Sequence, residues 1–229
     1  REFLKRLGFK RLRCAGVPGK ALDPKKQQEQ REFLDDKLDV RLDQAERGER
    51  KVFFVDAAHF VFGAFLGYLW CLVRVVLPTP SGRKRYHVLG ALDFTTKKMT
   101  TLCNTGYINS GTVCELLRNL AWQHVGVPLT LVLDNARYQR CHLVQNLAAE
   151  LGIGLLFLPS YSPNLNLIER VWKFVKAECL RGEYYDTFDK FQGAIDATLA
   201  QLGTKHRTQM ESLITRNFQL FDNRTNSAE

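Results

Sequence analysis

The sequence contains no pair of cysteines at C-x-x-C spacing and no cysteine and histidine combination at the spacing of a zinc finger, although it has six cysteines and five histidines. Internal repeats and low-complexity segments are also absent. Cysteines scattered in this way are typical of free thiols in a reducing compartment. They are Cys14, Cys71, Cys103, Cys114, Cys141 and Cys179.

The apolar run VFFVDAAHFVFGAFLGYLWCLV, from Val52 to Val73, lacks the charge-free interior of a membrane span. A transmembrane helix needs about 20 apolar residues, and an aspartate at its centre costs about 3 kcal/mol. Asp56 and His59 lie within the run, and Arg74 follows it. Its valines and aromatic residues favour β-strands, so we expect a sheet core here and no membrane partner.

Acidic side chains are in the minority, with 24 against 33 lysines and arginines and a net charge of +9. This excess favours a polyanionic partner, most commonly nucleic acid, although many basic proteins bind none. Residues 1–22 contain one acidic residue, Glu2, and we interpret them as the basic remnant of an N-terminal helix-turn-helix DNA-binding region and its linker. A solvated, partly disordered tail is the alternative. The opening REFLKRLGF lacks the apolar core of a signal peptide, and we expect the chain to be part of a longer protein.

Hydrophobic periodicity divides the chain into helices and strands. Asp23 and Pro24 are a good N-cap and first-turn pair, and helical spacing after them predicts an amphipathic helix at 23–50. Between residues 60 and 76 we expect further strands or a hairpin. Strand-type runs are predicted at 51–56, 86–94, 98–104, 129–134 and 153–159.

Helical spacing returns in the second half of the chain, where strands and helices alternate. A meander of strands followed by this alternation predicts a mixed sheet covered by helices. Helices are predicted at 109–124, 141–151 and 166–180, with two more beyond Thr187.

Asp56 and Asp134 each end an apolar strand-type run, which is where mixed α/β sheets place ligand chemistry. If the two strands are parallel neighbours, their spacing of about 4.8 Å holds the carboxylates side by side. Like charges so close need a cation, and oxygen ligands without a cysteine or histidine cluster favour magnesium or manganese over zinc. The alternative is that each aspartate only ends a strand in a turn, as an Asp-Asn dipeptide such as that at Asp134 often does.

Glu169 is the third candidate carboxylate. In the stretch N-L-I-E, Asn166 could be the N-cap and Glu169 the N3 residue of a capping box, which would be a structural role. The longer stretch LPSYSPNLNLIERVWKFVK instead combines a strand end, a turn and a helix whose first turn faces back toward that strand end. We expect Ser162, Asn164 and Asn166 to shape the turn that aims Glu169.

These segments resemble the DDE transposases of the mariner-like superfamily, and specifically its bacterial insertion-sequence branch. The resemblance lies in VFFVDAAHF, LTLVLDNARYQR and LFLPSYSPNLNLIERVWKFVK, and in the 34 residues that separate Asp134 from Glu169. It implies a ribonuclease-H-like α/β fold, in which a mixed five-stranded sheet is flanked by helices and preceded by a helical and basic extension. The DDE catalytic domain would occupy residues 51–203, with a C-terminal helix and tail at 204–229.

The resemblance also implies a chemistry. Asp56, Asp134 and Glu169 would be the catalytic residues and the ligands of two Mg²⁺ ions, for which Mn²⁺ can substitute. Such a pair of ions activates water and stabilises the leaving 3′ oxygen, and the freed 3′ hydroxyl then attacks target DNA. The implied protein is a cut-and-paste transposase in the bacterial cytoplasm and nucleoid. It would act on terminal inverted repeats as a homodimer on DNA and insert at TA.

Six further residues are predicted to contact DNA because they are polar, basic or aromatic and lie close in sequence to the carboxylates. A solvated or packed side chain is the alternative for each. Gln139 stands where many relatives carry a histidine, with His142 nearby, so an auxiliary role there is open. Trp172 is assigned to the core. The six residues are Asn135, Arg137, Arg140, Tyr161, Lys173 and Lys176.

Two other functions remain as alternatives. One is a ribonuclease-H-like nuclease without strand transfer, against which the S-P-N-L-N-L-I-E-R block argues. The other is a decayed or domesticated protein that binds DNA without chemistry, which the retention of all three carboxylates disfavours. The helix at 23–48 is a candidate dimer interface because of its length and its expected exposed position.

Overall fold

The computed structural model describes residues 2–8, 23–63 and 84–220, together with Leu72 and Val76. The strands in this part of the chain are β1 (Lys51–Val61), β2 (Arg85–Asp93), β3 (Met99–Asn104), β4 (Leu129–Leu133) and β5 (Ile153–Phe157). They form one sheet in the order β3-β2-β1-β4-β5. β1, β2 and β3 are antiparallel to one another in turn, whereas β4 runs parallel to both β1 and β5. The predicted mixed five-stranded sheet is therefore confirmed.

The first strand is longer than predicted. We expected it to end at Asp56, but β2 continues to pair with it as far as the Val61 and Arg85 pair. Most of the segment 60–76, where further strands were expected, lies outside the described residues.

Helices cover both faces of the sheet. Both helices predicted beyond Thr187 are present. The basic segment at the N-terminus contributes one short helix, and residues 9–22 lie outside the described part of the chain. The helices are α1 (Glu2–Arg6), α2 (Pro24–Phe33), α3 (Asp39–Glu46), α4 (Ser110–Gln123), α5 (His142–Glu150), α6 (Ile168–Cys179), α7 (Phe188–Ala200) and α8 (Arg207–Leu213).

The amphipathic helix predicted at 23–50 is α2 and α3, joined by a π-helical turn at Leu34–Leu38. Asp23 caps it as predicted, because its side chain accepts a hydrogen bond from the backbone N–H of Lys25. Its apolar residues Leu38 and Leu42 are fully buried in the same core as β1 and α6. The expectation that this helix is exposed as a dimer interface is therefore wrong for its apolar face.

Two apolar cores sandwich the sheet. The first lies between the sheet and α2, α3, α6, α7 and α8, and includes Phe54 and Phe60 of β1. The second lies between the sheet and α4 and α5, and includes Phe53 and Val55 of the same strand. Because successive side chains of β1 enter different cores, its sequence is an almost unbroken apolar run. Within the described residues, no helix has the length and hydropathy needed to cross a membrane.

Candidate active site

Asp56 lies in the middle of β1 and not at its end. It lies just beyond the part of β1 that pairs with β4, so at this position β1 is paired on one side. β1 pairs with β4 from Lys51 to Phe54, in a register that places Phe54 opposite Val132. Extending that register by two residues places Asp56 beside Asp134, the first residue after β4. The predicted parallel pairing of the two strands is therefore confirmed, and both aspartates line one pocket.

Asp134 also makes the turn that was its alternative explanation. Its Oδ1 accepts a hydrogen bond of 2.9 Å from the backbone N–H of Ala136. The next side chain, Asn135, donates from Nδ2 to the carbonyl oxygen of Leu158 and so fastens this turn to the segment that follows β5. Asp134 can take part in the turn and in the pocket, because the hydrogen bond of the turn is made to Oδ1, one of its two carboxylate oxygens.

Glu169 does not belong to a capping box. Helix α6 begins at Ile168, its N-cap position is Leu167, and no side chain caps it. The Asn166 side chain is used elsewhere, since its Nδ2 donates a 3.2 Å hydrogen bond to the carbonyl oxygen of Val55 in β1. The predicted start of this helix at residue 166 was therefore too early. Asn166 ties the loop before Glu169 to the residue before Asp56, which brings the third carboxylate to the same pocket.

The three carboxylates line one open pocket together with the loop between β5 and α6. Among the described residues that line it, none is basic. Burial, the negative charge of Glu169 and, less strongly, that of Asp134 together raise the pKa of Asp56 to about 7, against hydrogen bonds from the Ala57 N–H and Trp172 that lower it. Nearby, burial and the charge of Asp134 raise the pKa of the Tyr138 phenol to about 12.

The donor atoms of this pocket fit a hard divalent cation. Carboxylate oxygens are the ligands that magnesium and manganese prefer, and a cation would relieve the repulsion that raises the pKa of Asp56. The Oδ1 atom of Asn166 is also buried there, and no described group donates a hydrogen bond to it. In the arrangement that the described residues adopt, however, no three His, Cys, Asp or Glu side chains converge closely enough to hold a metal ion.

Trp172 has a role that the sequence reading missed. Its ring is 3% exposed and packs in the core, as predicted, but its Nε1–H donates a 3.0 Å hydrogen bond to Oδ2 of Asp56. The spacing of Glu169 and Trp172 is the signal that was available, since residues i and i+3 lie on the same helix face.

Two other motif residues join the pocket loop to distant parts of the chain. Asn164 donates from Nδ2 to Oε1 of Gln30 in α2 and to the carbonyl oxygen of Gln219. Arg170 donates to the carbonyl oxygens of Leu213, Thr215 and Asn217, which belong to the C-terminal strap, residues 213–219. The loop that carries Glu169 is therefore supported by α2 on one side and by the C-terminal strap on the other.

Comparison with known proteins agrees with this arrangement. A family described as DDE superfamily endonucleases matches residues 51–192, which include all three carboxylates and most of the chain. The chain belongs to this family. An uncharacterized protein of Sinorhizobium fredii, y4pE/y4sA, is 34% identical over 64 residues, which are 28% of this chain. Those residues are 45% of the relative, so the matched part spans less than half of its length.

Solved transposase structures share the fold of this chain. A Mos1 transposase paired-end complex with the left transposon end has a TM-score of 0.64 at 16% identity, over 96% of this chain and 70% of that one. A Mos1 mariner paired-end complex with Mn matches with the same values. The Mos1 catalytic domain with raltegravir and Mg has a TM-score of 0.52 at 14% identity, over 85% and 98% of the two chains. The predicted DDE assignment is confirmed by the family match, and the predicted ribonuclease-H-like fold is confirmed by these structures.

The six residues predicted to contact DNA lie at different distances from the pocket. Asn135 and Tyr161 line it, and Tyr161 is 48% exposed with a left-handed backbone (φ 63°). Arg137 and Arg140 are exposed in the loop after Asp134. Their contacts with DNA stay predictions.

The remaining two lysines lie on α6. Lys173 is exposed, and Nζ of Lys176 lies 5.7 Å from the centre of the Phe60 ring. Gln139, in contrast, is fully buried and donates from Nε2 to the Tyr138 hydroxyl, whereas His142 is exposed. Gln139 therefore faces the interior, and an auxiliary role in contact with DNA has no support in its position.

Proposed function

We propose that this DDE endonuclease is the catalytic part of a DNA transposase. It would hydrolyse phosphodiester bonds at the ends of its element. The freed 3′ hydroxyl would then attack a phosphodiester bond of target DNA and join the element to it, in a cut-and-paste reaction that inserts at TA. The observation that carries this proposal is the single pocket lined by Asp56, Asp134 and Glu169, which come from two strands and a helix of the fold that Mos1 transposase shares.

The residues of the pocket would act by binding and orienting divalent cations. Asp56, Asp134 and Glu169 would hold two Mg²⁺ ions, or Mn²⁺ in their place, which supply activation of a water molecule and stabilisation of the leaving 3′ oxygen. The open side of the pocket gives the scissile phosphate access to the carboxylates. The absence of basic side chains among the described residues that line the pocket leaves charge neutralisation to the bound cations.

DNA would be held by groups around the pocket. The net charge of +9 supports attraction of the phosphate backbone. Asn135, Arg137, Arg140 and Tyr161 are the proposed contacts on the pocket side, with Lys173 and Lys176 on α6. We infer a homodimer on terminal inverted repeats, and a cytoplasmic, nucleoid-associated location in a bacterium.

The test is DNA cleavage and joining by the parent protein and by an Asp134→Asn variant. The substrates are duplexes taken from the DNA that flanks the gene, with a supercoiled plasmid as target, in Mg²⁺ or Mn²⁺. The variant should lose cleavage and keep or improve DNA binding, because it removes a negative charge that repels phosphate. Asp189→Asn, at an exposed position of α7, is the matched control and should cleave like the parent.

The products distinguish the alternatives. Junctions between element ends and plasmid TA sites would establish strand transfer, whereas cleavage without junctions would indicate a nuclease. Binding of DNA without any cleavage by the parent would indicate a non-catalytic protein. If Asp134→Asn cleaves as well as the parent, the assignment of the three carboxylates is wrong.

A further inference from the structure

The indole of Trp172 connects the hydrophobic core with the carboxylate pocket. The side chain is 3% exposed and lies edge-on to Phe60, with ring centres 6.3 Å apart. From this packed position its Nε1–H reaches Oδ2 of Asp56 at 3.0 Å. A buried indole N–H needs an acceptor, and here the acceptor is the carboxylate on β1.

Gly90 makes the space that the indole occupies. It lies on β2 directly opposite Asp56 in the antiparallel pairing. A Cβ atom at Gly90 would be 2.7 Å and 2.8 Å from two atoms of the Trp172 ring and 2.6 Å from Cε of Met99. Met99 ends in a flexible chain and can move, whereas the indole is a rigid ring packed in the core. A side chain at position 90 would therefore displace the indole from its place beside Asp56.

The hydrogen bond restricts how the Asp56 carboxylate can turn. An indole N–H can donate but cannot accept, so it holds an oxygen of the carboxylate in one direction. Because α6 also carries Glu169 one turn earlier, the helix that supplies one carboxylate also fixes the orientation of another.

We propose that Trp172 is a positioning residue of this site: its indole N–H holds Asp56 in the orientation that binds a divalent cation, and Gly90 provides the room that this requires. The inference rests on the proposed metal-dependent function, and it goes beyond it by assigning roles to a core tryptophan and a strand glycine. Trp172 acts through Asp56 and does not itself touch metal or DNA.

The test measures Mn²⁺ affinity by titration calorimetry and by electron paramagnetic resonance of free Mn²⁺, in the absence of DNA. Trp172→Phe keeps an aromatic ring in the core but removes the N–H, and it should weaken Mn²⁺ binding about tenfold or more. Trp122→Phe is the control, because Trp122 is 81% exposed on α4, and it should bind Mn²⁺ like the parent.

Gly90→Ala tests the other half of the proposal. It should weaken Mn²⁺ binding when Trp172 is present, because the added methyl group pushes the indole away. In the Trp172→Phe background it should add little, since phenylalanine lacks the outer ring atoms that the methyl group meets. Additive effects of the two substitutions would overturn the proposed link between Gly90 and the indole.

A measurement on the parent protein covers the case in which Trp172→Phe does not fold. The indole N–H signal of Trp172 in a ¹H–¹⁵N spectrum, assigned by elimination with Trp70→Phe and Trp122→Phe, should shift as Mg²⁺ is added. An unchanged signal in a parent that binds Mg²⁺, or unchanged Mn²⁺ affinity in a folded Trp172→Phe variant, would overturn the positioning role alone. A parent that binds neither ion would overturn the proposed metal site as well.

Discussion

Asp56 is a residue whose burial opposes the ionisation of its own carboxyl group. Its carboxyl group is largely buried beside Glu169 and Asp134, and its pKa is raised from an ordinary 3.8 to about 7. Between these two values the folded protein binds a proton that the unfolded chain does not. The proton therefore stabilises the metal-free fold in this range, and that stabilisation is lost as the pH rises through about 7.

Protons and divalent cations should compete for Asp56. Since its pKa is about 7, the apparent affinity for Mg²⁺ should be about tenfold weaker at pH 6 than at pH 8. Titration calorimetry at the two pH values measures this difference. An affinity that does not change over this range would show that Asp56 is ionised throughout, against the raised pKa.

At the scale of elements, the strands and helices that could be predicted from the sequence are those that depend on apolar periodicity. The five strands and the main helices were found, because each buries a recognisable stripe or run. The predicted ends of elements that were wrong are those that depend on contacts with distant parts of the chain. β1 passes Asp56 because β2 continues to pair with it, and α6 begins after Asn166 because that side chain bonds β1 instead of capping the helix.

The candidate site shows the same difference between features that follow from local sequence patterns and features that depend on distant contacts. The placement of the two aspartates at one pocket followed from strand order, whereas the role of Glu169 was assigned from a resemblance to known transposases and stays a prediction. The spacing of Glu169 and Trp172 places both on one face of α6, but the hydrogen bond of Trp172 also requires α6 to pack over β2 at a glycine, which the spacing alone does not predict. The π-helical turn at Leu34–Leu38 has no sequence signal that we recognise.

The C-terminal strap should depend on Arg170. This side chain donates three hydrogen bonds to strap carbonyls, at distances of 2.6 to 3.0 Å. Replacing it with alanine leaves those carbonyls without their charged donor, so we expect a loss of about 1–3 kcal/mol in unfolding free energy. Amide hydrogen exchange within residues 213–219 should become faster. Arg181→Ala, at an exposed position, is the control, and equal exchange in both variants would contradict the role of Arg170.

At the scale of the whole molecule, the site joins the two halves of the chain. β1 contributes Asp56 and pairs with β2, which in turn pairs with β3, whereas Asp134 follows β4 and Glu169 follows the loop after β5. Repulsion among the three carboxylates opposes this assembly in the metal-free protein. Under the proposed function, a cation bound by these carboxylates would reverse the sign of that contribution, because it attracts each of them.

Divalent cations should therefore raise the thermal stability of the whole chain. At a free concentration 100 times the dissociation constant, one bound ion adds about 2.7 kcal/mol. For a protein of this size that corresponds to an increase in Tm of roughly 5–10 °C. Thermal unfolding with MgCl₂ or MnCl₂, against NaCl of equal ionic strength, measures the shift. The same shift in Asp134→Asn would place the bound ion elsewhere.

The packing of the Trp172 indole against Gly90 also limits how this protein can evolve. Two positions far apart in the gene share one volume, and only one of them can fill it. A lineage that acquires a side chain at position 90 has to lose the indole at 172, or shift α6, before it regains a working site. Among related sequences, glycine at the first position and tryptophan at the second should accordingly be inherited and replaced as a pair.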